Sequence, residues 1–138
     1  MIPFIKKKTK VILDTNFLTI PGEFGIDIFS EIDRILLEPY EICVLDKTIE
    51  ELENLMVKLG KKKEVFNVKL GFIMIKQKGL KTLHSSSTEY TDNAILEMAS
   101  KNPGGIIVAT QDKELREALR KQKIRVVELK QKKYLSLR

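Results

Sequence analysis

Apolar segments too short to be helices alternate along this chain with longer segments whose apolar residues recur at helical spacing, and that alternation constrains the fold more than any other feature. Lys10-Val-Ile-Leu-Asp14, Ile42 to Leu45 and Ile106 to Thr110 are apolar runs without polar alternation, as strands covered on both faces require. Lys81 to His84 and Ile124 to Leu129 read as two further strands. Between them, Ile28, Ile32, Ile35 and Leu36 predict a helix within Asp27 to Leu37, stopped by Pro39. Ile49, Leu52, Leu55, Met56 and Leu59 predict another, closed by Gly60 and opened by a capping box, Thr48-Ile-Glu-Glu51, that puts Glu51 in the first turn. Val65, Val68, Phe72 and Ile75 favour a helix from Glu64 to Lys78, and two more are expected over Thr91 to Lys101 and Asp112 to Lys121. Pro21, Gly22 and Gly25 predict a loop, as does Ser85-Ser-Ser-Thr88, while Tyr134 to Leu137 either adds an edge strand or docks. The order β-α-β-α-α-β-α-β-α-β implies right-handed crossovers and a mostly parallel sheet with helices on both faces, an α/β/α sandwich. With 138 residues and no repeat or linker, residues 1–138 are expected to form one domain, its C-terminal part basic from about residue 116.

Four carboxylates fall where a strand hands over to a helix or in a helix's first turn: Asp14, Glu51, Asp92 and Asp112. In an open parallel sheet those junctions gather along the carboxyl edge, where ligands bind. Taken singly, each has a structural use as a turn, cap or dipole partner. Taken together, they predict a self-repelling acidic cluster that divalent cations would neutralise, and ligands made only of oxygen suit Mg²⁺ or Mn²⁺. Asn16 and Thr110, beside Asp14 and Asp112, are placed to orient those carboxylates or hold water around the ion, or else simply to shape turns.

Charge distribution points to a polyanionic partner. Residues 11–53 hold eleven acids against Arg34 and Lys47, whereas the tail from Arg116 to Arg138 holds nine basic residues against Glu117 and Glu128, within a chain of net charge +6. An acidic segment flanked by basic ones suits a polyanion held by a Lys/Arg surface while metals touch one phosphate. Lys130, Lys132, Lys133, Tyr134 and Arg138 are the candidate contacts to that polyanion, with Tyr134 offering a stacking face or plain packing. No apolar run reaches the length of a membrane span and Met1 to Lys10 lacks a signal-peptide core, so a soluble, cytoplasmic protein is expected. Cys43, the only cysteine, sits in an apolar run and is expected to pack as a small hydrophobe. His84 is the only histidine and no Ser-His or Cys-His constellation can be assembled, which fits the chemistry that an acidic metal site could support, two-metal hydrolysis without a protein nucleophile. No Gly-rich phosphate loop follows a strand.

Val11-Ile-Leu-Asp14-Thr-Asn16, Thr48-Ile-Glu-Glu51-Leu, Thr91-Asp92-Asn-Ala-Ile95 and Ala109-Thr110-Gln-Asp112 together resemble the four signature motifs of PIN-domain nucleases, over nearly the whole chain. That resemblance implies a Rossmann-like fold that binds Mg²⁺ or Mn²⁺ through Asp14, Glu51, Asp92 and Asp112 and cuts single-stranded RNA, by endonucleolytic rather than exonucleolytic attack. Leu45-Asp-Lys-Thr-Ile-Glu-Glu51-Leu-Glu-Asn-Leu55 and Arg125-Val-Val-Glu-Leu-Lys-Gln-Lys-Lys-Tyr134 look closest to the branch of small-subunit ribosomal-RNA processing nucleases. Small PIN toxins share the length and the acids, so a toxin with an antitoxin partner stands beside a ribosomal-RNA nuclease with a ribosome-assembly partner. A scaffold that binds RNA without cutting it is a further alternative, and a homodimer is compatible with all three.

Overall fold

The computed structural model describes residues 7–85 and 90–138. Six strands form one sheet: β1 (Thr9–Leu13), β2 (Tyr40–Leu45), β3 (Lys81–Leu83), β4 (Ile106–Ala109), β5 (Arg125–Lys130) and β6 (Tyr134–Leu137), in the order β3-β2-β1-β4-β5-β6. All neighbours pair in parallel except β5 and β6, which form an antiparallel hairpin, so Tyr134–Leu137 is an edge strand. The helices are α1 (Ile20–Phe24), α2 (Ile28–Ile35), α3 (Asp46–Leu59), α4 (Glu64–Gln77), α5 (Thr91–Ser100) and α6 (Lys113–Lys121).

Alternation along each strand divides the core in two. Val11 and Leu13, Ile107 and Ala109, and Val127 face a cluster built with Ile28, Ile32, Leu52 and Val68, from α2, α3 and α4. Ile12, Cys43, Val108 and Val126 face the opposite cluster, with Ala94, Ile95, Leu115 and Leu119 from α5 and α6. The result is the expected three-layer sandwich. Chain progression reverses between β1 and β4, since β2 and β3 lie on one side of β1 while β4 and β5 lie on the other. That switch point is where an open α/β sheet leaves a crevice outside its carboxyl edge.

Two local expectations are corrected. The stretch after Asp14 is not an open loop: Thr15–Thr19 form a 3₁₀ turn and Ile20–Phe24 a short helix, with Pro21 in its first turn and Gly25 closing it at φ 68°. Proline lacks a donor that a first turn does not use, and glycine adopts the left-handed cap without strain, so both residues bounded a helix here. The capping box is also absent. β2 runs directly into α3, which starts at Asp46, so Thr48 is a buried interior residue and Glu51 lies in the second turn. Three of the expected Ser85–Thr88 loop residues fall outside those described.

Cys43 is fully buried, and burial pushes its thiol up to about 11, which suits the packing role. His84 has a largely exposed side chain, 3.7 Å from an Asp46 oxygen. Among the described residues, no helix is long and apolar enough to cross a membrane.

Candidate active site

Asp14 follows the last residue of β1 on the α5/α6 side of the sheet, and its carboxylate is almost fully buried. Thr110 leaves β4 on the same side, and its hydroxyl donates to Asp14 Oδ2 at 2.8 Å while accepting from the Asp112 amide at 3.1 Å. The Thr15 amide donates to Asp14 Oδ1 at 2.8 Å. These donors favour the anion, but burial outweighs them and, with the Glu51 and Asp112 charges, raises Asp14 to about 6. Asp14, Glu51 and Asp112 therefore share one electrostatic environment although they come from β1, α3 and the start of α6.

A cleft of about 740 Å³ opens above Asp14, lined by all four predicted acids, Asp14, Glu51, Asp92 and Asp112. Each is held by its own local geometry. Asp112 caps α6, accepting from the Leu115 amide at 3.0 Å; Glu51 accepts from the Thr91 hydroxyl; Asp92, in the first turn of α5, accepts from the Asn93 amide at 3.0 Å. The Thr91–Glu51 contact ties α5 to α3 across the cleft. Asn16 also lines it, and its Oδ1 accepts from the Gln111 amide at 3.1 Å, joining the end of β1 to the β4–α6 connection.

Among the described residues, no three of His, Cys, Asp or Glu converge tightly enough to enclose an ion by themselves. The lining is nonetheless the kind a hydrated divalent cation takes. Mg²⁺ keeps several waters and binds through one or two carboxylates plus substrate phosphates rather than in an all-protein cage, and Asp14 is held against its own desolvation beside two like charges.

Sequence patterns had not singled out several residues of the cleft. Glu50 and Asn54 line it from α3, Lys47 and Thr91 stand at its rim, and Tyr90 is 83% exposed there. Asn54 was legible in principle, being three residues beyond Glu51 and four beyond Glu50 on one helical face. The Thr15 hydroxyl is buried at the cleft with no hydrogen-bond partner among the described residues.

The proposed RNA contacts divide by position. Lys130 ends β5 at the carboxyl edge, and Lys132 and Lys133 are exposed in the hairpin turn beyond it. Tyr134 opens β6 and is 39% exposed, whereas Arg138 lies past the far end of β6, its amide bonded to the Val126 carbonyl at 2.8 Å, away from that edge.

A family profile described as "PIN like domain" matches residues 11–132. The chain is 39% identical to the ribonuclease VapC4 of Methanocaldococcus jannaschii over 129 residues, which cover 93% of this chain and 95% of that one. A solved structure of the PIN domain endonuclease Utp24 superimposes with a TM-score of 0.76 at 25% identity, covering 93% of this chain and 90% of the other. Strand order, the acidic cleft at the switch point, and similarity along almost the entire length agree: the chain belongs to the PIN-domain nuclease family.

Proposed function

We propose that this protein is a divalent-metal-dependent endoribonuclease acting on single-stranded RNA, with ribosomal-RNA maturation as its role. The observation that carries the reading is the buried Asp14 carboxylate, raised to about 6 beside Glu51 and Asp112, in a cleft that Asp92 completes. The reaction class is supported by the 39%-identical relative, a ribonuclease, and by the structural neighbour, an endonuclease. Asp14, Glu51, Asp92 and Asp112 would hold Mg²⁺ or Mn²⁺, which when bound supplies Lewis-acid activation of water and charge stabilisation at the leaving oxygen. Thr110 donates to Asp14 and favours its ionised form against the larger opposing effect of burial. Asn16 and Gln111 brace the same junction. Lys47 is placed to meet a phosphate, and the exposed Tyr90 ring offers a face on which an unpaired base stacks.

A single substitution tests this. Asp14→Asn keeps the shape of the site but removes its charge, so cleavage of unstructured RNA in Mn²⁺ should fall by orders of magnitude while RNA binding persists. Wild-type protein that binds but never cuts would establish the scaffold alternative instead. In-line attack by water predicts 5′-phosphate and 3′-hydroxyl ends.

A toxin role held in check by an antitoxin is the second reading, favoured by an exposed apolar groove between α3 and α4 lined by Met56, Val57, Phe72 and Ile73, of the kind that marks protein–protein contact. Mapping of cleavage sites in cells separates the two: a discrete ribosomal-RNA precursor cut supports maturation, and growth arrest with cuts in mature RNAs supports the toxin.

A further inference from the structure

Glu128 is a buried carboxylate in β5 on which three cations converge. Arg116 Nε lies 3.1 Å from Oε2, while Arg120 Nη2 and Lys130 Nζ each lie 3.0 Å from Oε1. Burial alone would push the Glu128 carboxyl up, but Lys130, Arg120 and Arg116 outweigh it and hold the group below its usual range. Among the described residues, one negative charge therefore faces three positive ones. The carboxylate cannot satisfy the guanidinium groups by geometry either: Nε of both arginines and Arg120 Nη2 are buried without a hydrogen-bond acceptor among the described residues. The side chains as a whole are not enclosed: those of Arg116, Arg120 and Lys130 are 21%, 32% and 40% exposed.

Position gives this surplus charge a use. Val127 pairs with Ala109, the last residue of β4, so Glu128 to Lys130 extend past β4 at the carboxyl edge, beside the acidic cleft. Val126 faces the α5/α6 layer, so Glu128, two residues on, faces it too, as do Asp14 and Thr110 on the neighbouring strands. Asp14, Thr110 and Glu128 thus form a row along one sheet face, two strand spacings or roughly 10 Å from end to end. The cluster also touches the active-site junction directly: Arg116 Nη1 donates to the Gln111 carbonyl at 3.1 Å, and the Leu129 amide donates to Gln111 Oε1 at 3.2 Å.

We propose that Arg116, Arg120 and Lys130, gathered by Glu128, form a subsite for a backbone phosphate of the RNA strand next to the scissile one. The acidic cleft at β1, with any cation it would hold, would then face the reacting phosphate while the cationic cluster at β5 takes a neighbour, fixing the strand across the carboxyl edge. Glu128 is a positioning residue that stops the cations from repelling each other and holds them on one face of the sheet. The proposal rests on the nuclease reading.

Its test uses the full chain and a labelled, unstructured single-stranded RNA of about a dozen nucleotides, enough for a site of roughly 4–16 nucleotides. In EDTA, where binding is measured without cleavage, Arg120→Gln and Lys130→Gln should each weaken Kd several-fold and lower the log–log salt slope by about 0.7, the value for one phosphate contact on a single strand. Arg120→Lys should recover most of the affinity. Lys101→Gln, which removes the same charge from the exposed turn that follows α5 ahead of β4, at the amino edge, should change the slope little. In Mn²⁺, KM for the oligonucleotide should rise with kcat nearly constant, and cleavage of a dinucleotide carrying a single phosphodiester should be unaffected. Unchanged Kd and salt slope in Arg120→Gln protein of wild-type melting temperature would overturn the subsite, as would an equal loss in Lys101→Gln. If wild-type protein never cleaves yet the EDTA results hold, the nuclease reading fails and the phosphate site survives it.

Discussion

Asp14 shows at the scale of one residue how function is stored as instability. Its ordinary value of 3.8 rises to about 6 in the fold, chiefly through burial. Between those values the folded state binds the proton more tightly than the unfolded state, so stability falls as pH rises through that window. Above it, the ionised carboxylate costs on the order of 3 kcal/mol, at 1.36 kcal/mol per unit. Metal-free protein in EDTA should therefore lose melting temperature from pH 5 to pH 7 in excess of Asp14→Asn, and the substituted protein should melt several degrees higher at pH 7 while being inactive; superimposable pH profiles for the two would show that Asp14 is not destabilised. The groups held below their usual range, Asp27, Glu31, Asp46 and Glu128, have the opposite sign and lose their contribution only in more acidic solution.

Elements are set against one another by close approaches that no residue pattern announces. α1 packs on α4 so tightly that a Cβ on Gly22 would lie 2.8 Å from the Asn67 Cα and 2.5 Å from its Oδ1. Backbone cannot yield as a flexible side chain does, so Gly22→Ala should destabilise by about 1–3 kcal/mol, visible as a lower denaturation midpoint. Because α1 follows the 3₁₀ turn that carries Asn16, the same substitution should also impair catalysis per folded molecule. Gly22 and Pro21 read as loop punctuation in the sequence because residue identity does not separate a turn from a capped five-residue helix; contact with α4 decides between them. In the same way, Thr48-Ile-Glu-Glu51 has the composition of a capping box, but β2 delivers the chain straight into α3 two residues earlier, and Asp46 occupies the first turn.

Across the whole molecule the two edges of the sheet divide their tasks. At the amino edge Glu38, ahead of β2, accepts from the Thr9 hydroxyl on β1 and is bridged twice by Arg125 on β5, so it spans β4 and ties the sheet together. Glu38→Gln should lower stability by about 1–3 kcal/mol, the range for a charge-assisted bond and its abandoned partner, and leave kcat/KM of the folded fraction unchanged. A loss of activity there would mean that the amino edge, too, shapes the cleft. At the carboxyl edge the same sheet instead assembles unlike charges: acids over β1 and cations over β5. Sequence alone determined the layers and the mostly parallel sheet, because burial on both faces writes short apolar runs, and it put four acids in one cleft, because the strand–helix junctions of such a sheet have only one edge to occupy. What only the tertiary structure decided were matters of distance and partnership: that Thr110 reaches Asp14, that Thr91 reaches Glu51, and that Arg116, Arg120 and Lys130 share one buried carboxylate. Those contacts join residues from a few to nearly a hundred positions apart, and local chemistry carries no record of which distant group a crossover will bring to a side chain.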